Sequence, residues 1–332
     1  MSSTRHLFGL PLSCVLALGA SSCSRGASLQ EVAPVTESGV LATNGAAAAP
    51  SASVALAPSK GEDAYDLEAD RIVRKARAAK ELGGEPPVKV TEEVFVVIGA
   101  AGWKGKSLEA AVDLTESALM AYFYGRFKTR PARAVSVYLF PASDSYEAYC
   151  KAQSAAACIS PYGFYDPVKR DIIMNAGLGL GTLTHELVHP IIETDFPSAP
   201  TWINEGIASL FEAPAIPREG EIHGLKNWRL PRLLEGLASP NEREGTTLPA
   251  LFAMGDGAFR GGEERLHYAM ARYFCQWMDE RGHLWAFYQR WRDNVATDPN
   301  GEKAFLAVVG KTPKEMNTAW TRWVQSLGAS DP

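Results

Sequence analysis

The sequence predicts an α+β fold in which a small mixed sheet comes first and helices make up the remainder. The β-rich runs, such as EVFVVI at 93–98 and AVSVYLF at 134–140, all precede residue 176. Beyond that point, apolar residues recur only at helical spacing. Strands mixed with helices, and then helices alone, predict an α+β lobe at 62–213 followed by an all-helical lobe at 214–332.

The individual elements are predicted from periodicity and from turn residues. Residues 64–82 have a solvated helical pattern that Gly83-Gly84 ends, and Ser143 can cap a helix. The Asp166-Pro167 pair predicts a turn between two short strands. In chain order we expect a helix at 64–82, a strand at 93–98, a helix at 108–127, a strand at 134–140, a helix from Ser143, two strands within 163–175, and helices at 180–189, 201–212, 226–237, 263–281, 283–294, 301–309 and 313–327.

The composition is that of a globular protein and argues against nucleic acid as a partner. With 332 residues, 46% of them hydrophobic and 10% aromatic, the chain can bury a sizeable core. Its formal net charge is −5, with 33 basic and 38 acidic residues and no basic block. Binding to nucleic acid would depend on clustered Lys and Arg.

Residues 1–22 have the layout of a secretory signal peptide. Arg5 precedes an apolar stretch at 7–20, which is too short, and too interrupted by glycine and proline, to span a membrane well. The following Ala-Ser-Ser-Cys resembles a bacterial lipobox, which predicts that Cys23 is lipid-modified and anchors the protein to a membrane. Ordinary signal-peptidase cleavage, with Cys23 incidental, is the alternative. Either outcome predicts export to a bacterial cell envelope, facing the periplasm or the cell surface.

Two further features bear on an exported chain. Residues 23–61 are rich in Ala, Ser, Gly and Pro and predict a flexible tether between the anchor and the folded part.

Cys150 and Cys158 enclose a loop of seven residues. An oxidising compartment would allow them to pair, and two free thiols are the alternative. Cys275, inside an apolar helical run, is expected to be a small buried hydrophobe.

The segment GTLTHELVHPII at 181–192 contains a candidate metal site. His185 and His189 are four residues apart on one helical face, so both imidazoles can reach one ion. Zinc binds imidazole nitrogen and needs three protein ligands and an open position to catalyse. Glu186 projects beside the pair and can take the proton of a water molecule. A helix with two unrelated histidines is the alternative.

The segment TWINEGIA at 201–208 offers a third ligand. Thr201 is expected to cap a helix, which places Glu205 near its first turn. Gly206 is small and would let this helix pack closely on the first one. The Glu205 carboxylate can then complete the metal site; a solvated glutamate favoured by the helix dipole is the alternative.

HELVH followed by WINEGIA resembles the gluzincin metallopeptidases, in particular their peptidase-MA-like branch, over roughly residues 90–327. The resemblance implies a zincin-like fold with zinc (Zn2+) held by His185, His189 and Glu205. It implies that Glu186 is the general base that activates water to hydrolyse peptide bonds in a peptide or protein substrate. It also implies a strand edge above the site, matched by 169–175, with which an extended peptide could pair.

Three departures from the gluzincin pattern stand out. Pro190 biases the preceding residue away from helical geometry, so the helix is expected to end or kink at His189. Thermolysin-like relatives have an aspartate four residues after the glutamate ligand, where Ser209 stands here. Asp195 and Glu212 remain as alternatives for the group that orients a histidine. The chain also lacks a Gly-x-Met-Glu-Asn segment, which favours endopeptidase over exopeptidase action.

Peptide hydrolysis also needs a hydrogen-bond donor to the oxyanion. In gluzincins this donor is commonly a tyrosine or histidine on a later helix. Tyr268, in GEERLHYAMARYFCQWMDERG, is our choice, with His267 or simple core packing of Tyr268 as alternatives. The stretch GDGAFRGG before this helix is expected to be mobile.

These features predict an exported zinc metallopeptidase. A zincin-fold module that binds zinc without hydrolysis is one alternative. A structural envelope lipoprotein in which HELVH is fortuitous is another. The presence of Glu186 favours the enzyme, because a purely structural metal site has no need of a general base.

Overall fold

The computed structural model describes residues 65–103, 107–154 and 156–329. The predicted signal peptide, Cys23 and the tether lie outside the described residues. Glu62–Pro332 forms one compact unit. Within the described part of the chain, none of the helices combines the length and the apolar character that crossing a membrane requires.

The predicted order of a small mixed sheet followed by helices is confirmed. The strands are β1 (Val88–Thr91), β2 (Phe95–Gly99), β3 (Val135–Phe140), β4 (Gly163–Asp166) and β5 (Asp171–Asn175). The helices are α1 (Leu67–Leu82), α2 (Ser107–Phe123), α3 (Ser143–Ser154), α4 (Leu183–Glu186), α5 (Val188–Asp195), α6 (Thr201–Leu210), α7 (Leu230–Ala238), α8 (Leu248–Phe252), α9 (Asp256–Phe259), α10 (Glu264–Asp279), α11 (Leu284–Asn294), α12 (Glu302–Val309) and α13 (Pro313–Gly328).

The five strands form one sheet in the order β1-β2-β3-β5-β4. The three inner strands run parallel, and β1 and β4 pair antiparallel at the two edges. The inner strands are buried along their whole length, which explains why they are continuous apolar runs. The short edge strand β1 is absent from the predicted elements because its four residues mix polar and apolar side chains too briefly to show a period.

The expectation that residues 169–175 supply a free strand edge is wrong. β5 lies between β3 and β4, so both of its edges are paired. The turn at Asp166-Pro167 folds β4 back onto the outer side of β5, and β4 therefore becomes the edge of the sheet.

The two faces of the sheet contribute to different cores. Side chains that alternate along β2 and β3 pack on one face against α1 and α3, in a small cluster around Tyr138 and Tyr149. The opposite face joins a much larger cluster that includes α2, α4, α5, α6 and α10. Of the two alternatives for Cys150 and Cys158, the structure has the disulfide, and Cys275 is buried and unpaired as expected.

The helix that carries HELVH breaks one turn before Pro190, and the prediction that it ends or kinks at His189 is wrong. α4 stops at Glu186, Leu187 joins the two helices, and α5 continues through His189 to Asp195. Pro190 has no N–H to give to the carbonyl of residue 186, so the helical ladder is interrupted there. His189 consequently keeps helical geometry.

Helix α6 begins differently from the prediction. Its cap is Pro200, which makes no side-chain hydrogen bond, and the Thr201 N–H donates to Asp256 Oδ1 at 2.9 Å. Asp256 opens α9, a short helix inside the stretch GDGAFRGG that was expected to be mobile. Gly206 faces α10 instead of the HELVH helix, because a Cβ at that position would lie 3.0 Å from the Ala271 carbonyl oxygen.

Candidate metal centre

Helices α4 and α5 bring the residues of HELVH together on one side. The rings of His185 and His189 are 4.9 Å apart between centroids. One potential ligand atom from each of His185, Glu186 and His189 lies within 4.8 Å of the other two. The four-residue spacing therefore places both imidazoles beside a common point, despite the interruption at Leu187.

Helix α6 adds Glu205 to this pair. Its Oε2 atom lies 3.5 Å from His185 Nε2 and 4.0 Å from His189 Nε2. Three ligand atoms around a tetrahedral zinc ion would be about 3.4 Å apart, given zinc–ligand bonds of about 2.1 Å. Glu205 Oε2 is buried and has no hydrogen-bond partner. A buried carboxylate oxygen without a partner is costly, and a cation between these three atoms would satisfy it.

The far nitrogens of both imidazoles also face polar groups. His189 Nδ1 lies 2.9 Å from Asn204 Oδ1, and His185 Nδ1 lies 3.3 Å from Glu212 Oε1 at an angle outside the hydrogen-bond range. At His189, the Asn204 acceptor favours the tautomer whose Nε2 lone pair is free for a metal. At His185, by contrast, the Glu212 carboxylate attracts Nδ1 through its charge. The Nε2 atoms of His185 and His189 lie 3.5 and 4.0 Å from Glu205 Oε2.

The structure decides between the two candidates for the histidine partner. Glu212 lies beside His185, as described above. Asp195 Oδ1 instead accepts hydrogen bonds from the backbone N–H groups of Lys128 and Thr129. Asp195 Oδ2 pairs with Arg292 Nη1 at 2.8 Å. Its carboxylate therefore ties α5 to the loop after α2 and to α11.

Two arginines that we did not identify from the sequence support the carboxylates. Arg229 donates through Nε and Nη2 to both oxygens of Glu212, at 2.8 and 2.6 Å. Arg260 donates through Nη2 to Glu205 Oε1 at 2.8 Å. Because these arginines are 17 and 55 residues from their partners, no local sequence pattern indicates the contacts.

The charges of the site shift several pKa values. Burial opposes a charge on His185, but the neighbouring Glu205 and Glu212 raise its pKa to about 10. Burial would raise the pKa of Glu205, yet His189 and His185 hold it well below its usual range. For Glu212 burial also opposes ionisation, and Arg229 lowers the pKa to about 2. Both carboxylates are therefore ionised at neutral pH, and a metal ion that binds His185 must displace its proton.

Glu186 and the edge strand flank His189. Glu186 Oε2 lies 3.8 Å from His189 Nε2, and its side chain is largely buried. On β4, the Tyr165 ring is nearly parallel to the His189 ring, with centroids 6.5 Å apart. The Tyr165 hydroxyl donates to Glu193 Oε2 at 2.7 Å, which fixes the tyrosine against α5. The outer strand of the sheet thus passes next to the candidate site.

Of the two candidate oxyanion donors, Tyr268 is the one near the ligands. Its hydroxyl accepts a hydrogen bond from Arg260 Nη1 at 3.3 Å, and Arg260 also binds Glu205. Burial, and then the charge of Glu205, raise the pKa of Tyr268, so its hydroxyl keeps its proton. His267 is held elsewhere, because its Nδ1 donates to the Phe259 carbonyl at 2.9 Å.

No protein-family model matches the chain, and neither does any curated protein sequence. The function is therefore inferred from the residues of the site themselves.

Proposed function

We propose that this chain is an exported zinc-dependent metallopeptidase with a zincin-like fold of the gluzincin type. The observation that carries the proposal is the position of Glu205 Oε2. This buried oxygen lacks a hydrogen-bond partner and faces the Nε2 atoms of His185 and His189 at distances that suit a shared metal ion.

His185, His189 and Glu205 would hold zinc, and bound zinc would supply a Lewis acid that polarises a carbonyl and makes a water molecule easier to deprotonate. Glu186 would act as the general base that accepts a proton from water, and would pass that proton to the leaving amine. The 3.8 Å distance between Glu186 Oε2 and His189 Nε2 supports this role. Asn204 and Glu212 would keep the two imidazoles in the orientation for binding.

Tyr268 would donate a hydrogen bond to the oxyanion that develops on the substrate carbonyl. Its contact with Arg260 keeps the hydroxyl near Glu205, and therefore near the place where the reacting carbonyl would bind. Because the hydroxyl accepts from Arg260, its own hydrogen points away from that arginine.

An extended peptide is the substrate class that best suits the surroundings. No strand among the described residues pairs with the outer side of β4, and Tyr165 on this strand lies over His189. A peptide could add to this edge through main-chain hydrogen bonds and pass along the site. This mode of binding does not require a free terminus, in keeping with cleavage of internal bonds.

Export is supported by the disulfide between Cys150 and Cys158, since disulfides form and persist in oxidising compartments. From residues 1–61 we further propose that the enzyme lies in the bacterial envelope, held at a membrane by a lipid on Cys23 and by the 23–61 tether.

The proposal is tested by metal analysis of the purified full chain together with digestion of a library of end-blocked peptides. We expect close to one zinc per chain and cleavage of internal bonds. Glu205→Ala should lose most of the zinc. Glu186→Gln should keep zinc but lose essentially all hydrolysis, because an amide cannot accept the proton of water.

Glu221→Gln is a matched control, because Glu221 also pairs with a histidine, His223, but at the surface. It should keep both zinc and activity. Zinc binding without hydrolysis of any peptide would instead identify a zinc-binding module. A wild-type chain without zinc, or equal zinc in Glu205→Ala, would contradict the metal site itself.

A further inference from the structure

Arg229 contacts two separate parts of the candidate site. It stands immediately before α7, and its side chain is 22% exposed, against 2% for the Glu212 side chain that it binds. Its Nε and Nη2 atoms bind the two oxygens of Glu212 in a fork. Its guanidinium carbon also lies 4.9 Å from the centre of the Tyr268 ring.

Glu212 depends on this fork for its orientation. Asn227 Nδ2 donates to Glu212 Oε2 at 3.1 Å, and Arg229 supplies the other two donors. The remaining contact of Oε1 is His185 Nδ1 at 3.3 Å. Without the arginine, this buried carboxylate would retain one amide donor and would lose its two-point ion pair. The carboxylate would then be free to rotate, and the group beside His185 Nδ1 would no longer be held in place.

Tyr268 lies between two guanidinium groups. Arg229 contacts the face of its ring, and Arg260 binds its hydroxyl. The Arg260 side chain is 54% exposed, whereas the Arg229 side chain is 22% exposed and is held by both oxygens of Glu212. A planar guanidinium over an aromatic face is attractive and restricts the ring. Arg229, which is less exposed and is held at two points, is therefore the more rigid of the two supports.

We propose that Arg229 is a positioning residue for two groups of the site. It holds the Glu212 carboxylate beside His185, and it supports the ring of Tyr268. This inference rests on the proposed function, since it assigns to one residue the alignment of a zinc ligand and of the oxyanion donor. Arg229 hydrogen-bonds to Glu212 and stacks on Tyr268, and it makes no hydrogen bond to His185, His189 or Glu205.

The test compares Arg229→Met with Arg232→Met in the purified full chain. Arg232 is a matched control, because its side chain is also 22% exposed and pairs with two carboxylates, those of Glu242 and Glu263, neither of which contacts a histidine of the site. Zinc affinity, measured by competition with a chelator, should fall by roughly 10–100-fold in Arg229→Met, as for other groups that orient a metal ligand. At saturating zinc, kcat should also fall while KM stays near the wild-type value. Arg232→Met should change neither quantity.

Two further variants guard against a general folding defect. Arg229→Lys keeps the positive charge but cannot bind both oxygens or stack flat on the ring. It should fold, recover part of the zinc affinity and leave kcat low. In a double-mutant cycle, Glu212→Gln and Arg229→Met should lower zinc affinity by less together than the sum of their separate effects, because they act through one contact.

The inference is overturned if Arg229→Met binds zinc and turns over substrate like Arg232→Met, or if the double-mutant effects add fully. Those results would leave the proposed function intact as long as the wild-type chain binds zinc and cleaves peptides. A wild-type chain that fails to bind zinc would defeat the proposed function directly.

Discussion

Replacing Gly206 with alanine introduces one methyl group at the closest approach of α6 and α10. The new Cβ would lie 3.0 Å from the Ala271 carbonyl oxygen and 3.0 Å from Cys275 Sγ, whereas ordinary contacts begin at 3.4 Å. The two helices would have to separate by about 0.4 Å, because one of the two contacts is to rigid backbone. Gly206 directly follows Glu205, so this shift would also displace the candidate ligand.

The magnitude follows from two opposing effects. Overpacking a well-filled core costs about 1–3 kcal/mol, and alanine gains about 1 kcal/mol over glycine inside a helix. We therefore expect Gly206→Ala to lower the free energy of unfolding by about 1 kcal/mol. In a folded unit of this size the melting temperature should fall by about 2–4 °C.

Thermal unfolding with and without zinc measures this effect. Gly257→Ala on α9 is the control, because a Cβ there would meet no atom within 4 Å. It should be neutral or stabilising by up to about 1 kcal/mol. The zinc-dependent gain in melting temperature should also be smaller in Gly206→Ala than in the wild type. A Gly206→Ala variant that is stabilised as much as Gly257→Ala would refute the close packing of α6 on α10.

Two further predictions concern catalysis and anchoring. Tyr268→Phe should lower kcat by about 10²–10³-fold while zinc content and KM stay near wild type. An unchanged kcat with reduced stability alone would assign Tyr268 to packing and transfer the donor role to His267. Labelled palmitate should enter the wild-type protein and be absent from Cys23→Ala. An unlabelled wild type released in soluble form would remove the lipid anchor and leave the export prediction standing.

Much of the fold was predictable because the signals are local. Continuous apolar runs indicated β2, β3 and β5, and the Asp166-Pro167 pair placed the turn between β4 and β5 correctly. The strand order was not predictable, since it depends on which edges meet in space. For this reason residues 169–175 were assigned the edge that β4 occupies.

The same distinction holds for the candidate site, where some residues were predictable from local signals and others only from spatial contacts. The four-residue spacing of His185 and His189 puts both on one helical face whatever surrounds them, and the chemistry of Glu205 predicted it as a third ligand. The choice between Asp195 and Glu212 had no basis in the sequence, because both are carboxylates at plausible distances along the chain. Packing decided it, by turning Asp195 toward Arg292.

The sequence by itself thus determined most of the longer helices, the inner strands and the residues that can bind a metal, because periodicity and side-chain chemistry act between near neighbours in the chain. Only the tertiary structure decided the contacts of Asn204, Arg229 and Arg260 and the place of Tyr165 over His189. The two arginine contacts and the tyrosine contact join residues that are distant in sequence, and Asn204 reaches His189 from a separate helix. Their orientation depends on how helices and sheet pack together, which no local pattern records.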